Sequence, residues 1–159
     1  GKVIALAEFE EYGETYARDI VRNAQALGQC LAQEGFDVLA EGRNYTASHQ
    51  VLTRHGEIDS GAGAAAAQLL EDAGIVTNMN MLPGDTKAMT PSGLRLGVQE
   101  LTRVGMGVSE MAEVARLFAK VLLEHKDPSA VKDEVHHLKS NFQTIRYCFN
   151  EDEQSGYVL

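Results

Sequence analysis

The sequence predicts a two-layer α/β (α+β) fold: a small, mainly antiparallel sheet covered by helices on one face and preceded by a long N-terminal helix. Three observations predict it. Phe9, Tyr12, Tyr16, Ile20, Ala24, Leu27 and Leu31 recur every three or four positions, the spacing of one helix face. Four short apolar runs are separated by turn-forming residues, as strands are. The element order is helix, two strands, helix, two strands, helices, which suits a sheet with helices packed on it.

The first helix spans 3–34 and stops at Gly35, which can take the left-handed backbone of a C-terminal cap. Gly13 is its one break in propensity, a place for a kink. The helix is too long for so small a sheet to cover, so part of its stripe is expected to pack on something outside this chain or on a second copy. Strands follow at 36–40 and 48–54, with a turn at 41–44. After a loop at 56–63, Asp59 or Ser60 can cap a helix carrying four consecutive alanines, Ala64 to Ala67, and ending near Gly74. Strands at 75–79 and 94–98 flank the irregular stretch 80–92, which holds two of the three prolines. Ser109 can cap a helix with Met111, Val114, Ala115, Phe118, Val121 and Leu122 on one face. Asp127-Pro128 opens a last helix, with Val131, Val135, Leu138 and Phe142 as its stripe. The segment from Asn150 is acidic and aperiodic and reads as a tail.

At 159 residues, the chain suffices for one core, or one core with an appendage. The 23 acidic residues outnumber the 14 basic ones, a net charge of −9. That argues against nucleic acid and anionic lipid as partners, since both need clustered Lys and Arg. No apolar run approaches the ~18 residues of a membrane span, and no leader pattern opens the chain. Cys30 and Cys148 have no metal-ligand spacing and read as reduced thiols in a cytoplasmic protein or as a single disulfide.

No complete catalytic constellation is present. Gly61-Ala62-Gly63 is followed by alanines rather than Lys-Ser/Thr, so it is no phosphate loop. His136 and His137 are adjacent on a helix and point about 100° apart, so they cannot share a metal. The informative stretch is Asn78-Met79-Asn80-Met81-Leu82-Pro83-Gly84-Asp85, then Ser92-Gly93-Leu94-Arg95-Leu96-Gly97. Alternation on a strand sends Arg95 away from the side of Leu94 and Leu96. There a guanidinium can hold both oxygens of a carboxylate. The competing reading is a structural arginine bridged to an aspartate such as Asp85.

These blocks, with Val21-Arg22-Asn23-Ala24-Gln25-Ala26-Leu27, Asp72-Ala73-Gly74-Ile75 and Leu101-Thr102-Arg103-Val104-Gly105-Met106, carry a family resemblance over about 16–123. The sequence resembles the C-terminal small domain of serine hydroxymethyltransferases, pyridoxal-phosphate enzymes of the aspartate-aminotransferase fold type I. Ala47-Ser48-His49-Gln50 and Ile145-Arg146-Tyr147-Cys148-Phe149 are similar to the archaeal branch. The resemblance implies a connecting helix at 1–34, the small domain at 35–126, a helical extension at 127–149 and an acidic tail at 150–159. It implies a transfer of the serine hydroxymethyl group to a reduced pterin, leaving glycine. Arg95 would bind the substrate carboxylate and Asn80 the pterin, while Arg103 is expected to be structural. The usual Ser-Pro-Phe segment before Ser92 is replaced by Ala88-Met89-Thr90. The cosubstrate is therefore expected to be tetrahydrofolate or a modified tetrahydropterin. None of the six lysines follows the Thr/His-rich segment that marks the family's cofactor lysine. The chain is thus expected to contain no catalytic residue and no metal site, to be inactive alone, and to depend on a large pyridoxal-phosphate domain in a homodimeric parent. The alternative is a self-standing amino-acid-binding regulatory module or a dimerisation module.

Overall fold

A computed structural model describes residues 1–150. The acidic segment from 151 onward lies outside the described residues. Helix α1 runs unbroken over Lys2–Glu34, through Gly13, and Gly35 closes it with φ 103°. Its C-terminal half enters the core through Ile20, Ala24, Leu27 and Leu31. Its N-terminal half does not: Val3, Ile4, Leu6 and Phe9 are all exposed, Phe9 by 67%. The apolar stripe of α1 thus continues past the core.

Four strands follow: β1 (Asp37–Val38), β2 (Gln50–Arg54), β3 (Asn78–Asn80) and β4 (Gly93–Gly97). They form one antiparallel sheet in the order β1-β2-β4-β3. The apolar run 75–79 becomes strand only from Asn78, because Ile75 closes the preceding helix through its N–H to Leu70 O and Val76 stays in solvent. The turn at 41–44 is a single 3-10 turn, Glu41–Arg43.

The helices are α2 (Ala62–Asp72), α3 (Gln99–Arg103), α4 (Val108–Leu122) and α5 (Pro128–Ser140). Their capping departs from the sequence expectation at two places. Gly61, not Asp59, precedes α2, and Ser60 Oγ accepts from Ala62 N at 3.2 Å. Helix α4 begins one residue before Ser109, because the Glu110 carboxylate reaches back to Gly107 N at 2.6 Å. Helix α5 starts as expected, with Asp127 accepting from Ser129 N and Pro128 in the first turn. Periodicity alone did not reveal α3, which is only five residues long. It is locked from outside: buried Asn23 of α1 donates to Thr102 Oγ1 and Met106 O, both at 2.9 Å. Segment 145–149 returns along α1, where Tyr147 donates to Asp19 at 2.9 Å and stacks on Tyr16. Burial, then that bond to Asp19, pushes the Tyr147 hydroxyl up to about 12.

Two carboxylates tie the loop before α2 to the loop between β3 and β4. Asp85 accepts from Leu82 N, Ser92 N and Ser92 Oγ with one oxygen and from Asp59 N with the other, all within 2.8–2.9 Å. Asp59, at φ 56°, in turn accepts from Thr86 N, Thr86 Oγ1 and Lys87 N at 2.6–2.8 Å. Backbone N–H donors, Leu82 first, hold the Asp85 carboxyl well below the usual carboxylate range. The Thr86 hydroxyl and the Lys87 N–H lower that of Asp59.

Two outcomes are expected. A Cβ added at Gly63 would lie 2.3 Å from Gly93 O, backbone against backbone, so α2 can approach β4 this closely only without a side chain. Gly63→Ala should lower unfolding free energy by about 1–3 kcal/mol, whereas Gly42→Ala, with open space around it, should not; urea denaturation of both decides. Because the Asp59 and Asp85 folded pKa values are depressed, their stabilisation is fully present above the unfolded value of about 3.9 and is lost as pH falls through the lower folded values. Amide resonances of Leu82, Thr86 and Ser92 should therefore hold their positions down to that unfolded value and shift together only below it. Asp85→Asn should shift them at neutral pH.

Candidate functional site: an arginine on the outer face of the sheet

Strand β4 is central, so both its edges are paired and its register is set twice. Arg95 lies between Leu52 of β2 and Asn78 of β3, each directly opposite it. Leu94 and Leu96 point into the core with Val51. Arg95 therefore emerges on the other face, alongside Gln50 and Leu52 of β2 and Asn78 and Asn80 of β3. The loop after β3 folds back over one end of this face. Leu82 covers Gly93 so closely that a Cβ there would lie 2.4 Å from its Cγ. Asp85 keeps that loop in place by gripping both Leu82 and Ser92.

Arg95 lines an open hollow of about 290 Å³ with His49, Gln50, Asn78, Gly97 and Gln99. Arg95 faces four polar side chains, and no carboxylate lines the hollow. Among the described residues Arg95 makes no hydrogen bond or ion pair. The alternative partner, Asp85, is engaged instead by Leu82 N, Ser92 N and Ser92 Oγ of its own loop and by Asp59 N of the loop before α2. Arg54, Arg103 and Arg116, by contrast, pair with Asp37, Glu8 and the Glu34–Glu124 pair. Arg103 also lies over the Tyr16 ring, 5.9 Å from its centroid, and joins α3 to α1. An unspent guanidinium with no acidic side chain beside it is equipped to take an external carboxylate with two parallel hydrogen bonds.

Asn80 stands on the same face as Arg95, two positions beyond Asn78 and paired with Gly93. Its Nδ2 donates to Met81 O at 2.6 Å, which leaves its amide oxygen and its second N–H for a ligand. The structure thus brings Arg95 and Asn80 to one face and sets both beside the Asp85-held loop. It keeps His136 and His137 away, exposed on α5. Among the described residues no group of three or more His, Cys, Asp or Glu could hold a metal, and Cys30 and Cys148 are free thiols. No helix of the described residues is long and apolar enough to cross a membrane. Sequence reading missed His49, Gln50 and Gln99 as lining residues, because only the β2–β4 register brings them beside Arg95. Asn78 was within the informative block, but alternation could not say which strand it would face.

Residues 1–118 match the family model of serine hydroxymethyltransferase. Relatives with that name include one from Thermococcus kodakarensis, 49% identical over 152 residues, covering 94% of this chain and 35% of the relative. Another, from Methanopyrus kandleri, is 51% identical over 148 residues, 92% of this chain and 34% of the relative. Among solved structures, an L-threonine transaldolase from Pseudomonas fluorescens superposes with a TM-score of 0.84 at 29% identity, over 95% of this chain and 34% of its own. The chain thus spans about a third of the length of the relatives it matches. With the central Ser-Gly-Leu-Arg-Leu-Gly strand placed as described and the match covering most of its length, this chain belongs to the serine hydroxymethyltransferase family.

Proposed function

We propose that this chain supplies the amino-acid-carboxylate site and part of the pterin site of a pyridoxal-phosphate-dependent serine hydroxymethyltransferase, which converts serine and a reduced pterin to glycine and a methylene-pterin. The observation that carries the reading is the unpaired Arg95 guanidinium in a hollow without carboxylates. In this reading 1–34 is the connecting helix, 35–126 the small domain, and 127–149 a helical extension. The hollow fits the carboxylate end of an amino acid attached to the cofactor. No lysine lines it. In this reading the cofactor's own contacts belong to a large domain, within the part of the relatives' length that this chain does not span. A homodimeric parent and a cytoplasmic location complete the proposal; the two free thiols support the latter.

Bound pyridoxal phosphate acts as a sink for the electrons of a bond broken at the amino acid's α-carbon. The contribution of this chain is orientation. Arg95, paired on both sides within the sheet, holds the carboxylate through two donors and so fixes rotation about the bond between the amino nitrogen and the α-carbon. That choice sets which α-carbon bond is aligned to break, and in serine it selects the bond to the hydroxymethyl group. Asn80 is two strand positions from Asn78, roughly 7 Å along β3 at ~3.3 Å per residue. Its free amide oxygen can accept from an N–H of the pterin ring, close enough for one-carbon capture beside the held amino acid. Tetrahydrofolate and a modified tetrahydropterin both offer such donors.

In the full-length enzyme, Arg95→Ala and Arg95→Lys should each lower kcat/KM for serine by about 100-fold or more. The visible absorption of bound cofactor should stay intact. Loss of that absorption would make Arg95 a structural residue instead. The purified 159-residue chain mixed with pyridoxal phosphate should develop no protein-bound visible band and turn over no serine. A band in that mixture would place the cofactor lysine in this chain and overturn the division of labour.

A further inference from the structure

We propose that Asn78 is a positioning residue of the carboxylate site, acting through Arg95; this rests on the reading of Arg95 given above. The two residues are directly opposite each other across β3 and β4 and line the same hollow. Directly opposed residues of an antiparallel pair have Cβ atoms about 4.5–5.5 Å apart, so the Asn78 amide and the Arg95 side chain leave the sheet as a couple. Neither makes a side-chain hydrogen bond among the described residues. Both therefore retain their full capacity for a ligand and for each other.

The amide suits this place for two reasons. Its oxygen can accept from one guanidinium N–H and keep the planar fork facing the hollow. Its NH₂ can donate to the carboxylate oxygen that Arg95 brings alongside. It does this without charge, and charge is the decisive property. The chain carries nine more acidic than basic residues, yet the side chains that line the hollow with Arg95 are His49, Gln50, Asn78 and Gln99, and none is acidic. An aspartate at 78 would differ from asparagine in one atom and would pair with Arg95 permanently. An external carboxylate would then have to break an ion pair before binding. Neutrality at 78 is thus a selectivity device: it keeps the cation unspent until an amino acid arrives. Leu52, opposite Arg95 on the other side, offers no polar group, so the couple is one-sided and the carboxylate is steered toward β3. That is also the strand carrying Asn80.

The test uses the full-length enzyme with bound pyridoxal phosphate and four variants: Asn78→Asp, Asn78→Ala, Asn78→Gln and Arg95→Lys. The readouts are the Kd for glycine, the KM for serine, the KM for tetrahydrofolate and the urea midpoint. Asn78→Asp should raise the glycine Kd and serine KM roughly tenfold or more. Asn78→Ala should raise them severalfold, and Asn78→Gln should restore part of the loss. The tetrahydrofolate KM, the cofactor absorption and the urea midpoint should stay near those of the unmodified enzyme. If Arg95→Lys weakens glycine binding while Asn78→Asp does not, the role of Asn78 is refuted and the Arg95 reading stands. If Arg95→Lys leaves glycine binding unchanged, the Arg95 reading itself fails. A parallel fall in urea midpoint and tetrahydrofolate affinity in the Asn78 variants would show a structural role and refute the proposal.

Discussion

The pleat of the central strand is the constraint on which the rest of this structure depends. In Gly93–Gly97 the two leucines point inward and the arginine between them points out. Pairing with β2 on one edge and β3 on the other fixes that choice twice. A shift of one residue would bury a guanidinium among Val51, Leu70 and Met111 and expose two leucines. Burying an unpaired charge in that way is far costlier than any local gain. The hydrophobic core therefore enforces the orientation of the guanidinium that we propose binds the substrate carboxylate.

Glycines and aspartates complete the frame. Gly93 has no side chain, so Leu82 can lie over it on the outer face and α2 can come close on the other side through Gly63. Asp85 and Asp59 then fasten the irregular loop through its own backbone donors. An irregular segment bearing Pro83 and Pro91 has few ladder hydrogen bonds of its own, so its N–H groups need such acceptors. Charge is used here for structure, while beside it in the hollow charge is left unspent. That contrast supports assigning binding to Arg95 and scaffolding to the two aspartates.

The long first helix has two different halves. From Ile20 onward it is a core element, tied by Asn23 to the turn after α3. Before that it carries exposed apolar residues, with Tyr12 and Tyr16 meeting the returning Phe149 and Tyr147. The stripe read from periodicity is real along its whole length, but the sheet is large enough to cover only its C-terminal part.

The sequence by itself determined the layer architecture, the long helix and its glycine cap, the outward direction of Arg95 and the family. Each of these rests on periodicity, local propensity or contiguous motif, which neighbouring residues carry among themselves. Only the tertiary structure decided that Asp85 serves loop amides rather than Arg95, that Asp59 clasps a distant loop instead of capping α2, and that α3 is helical. It alone brought His49, Gln50, Asn78 and Gln99 to one hollow. The reason is that these depend on which elements lie side by side and in what register, so they arise between segments up to about eighty residues apart, where local pattern has no reach.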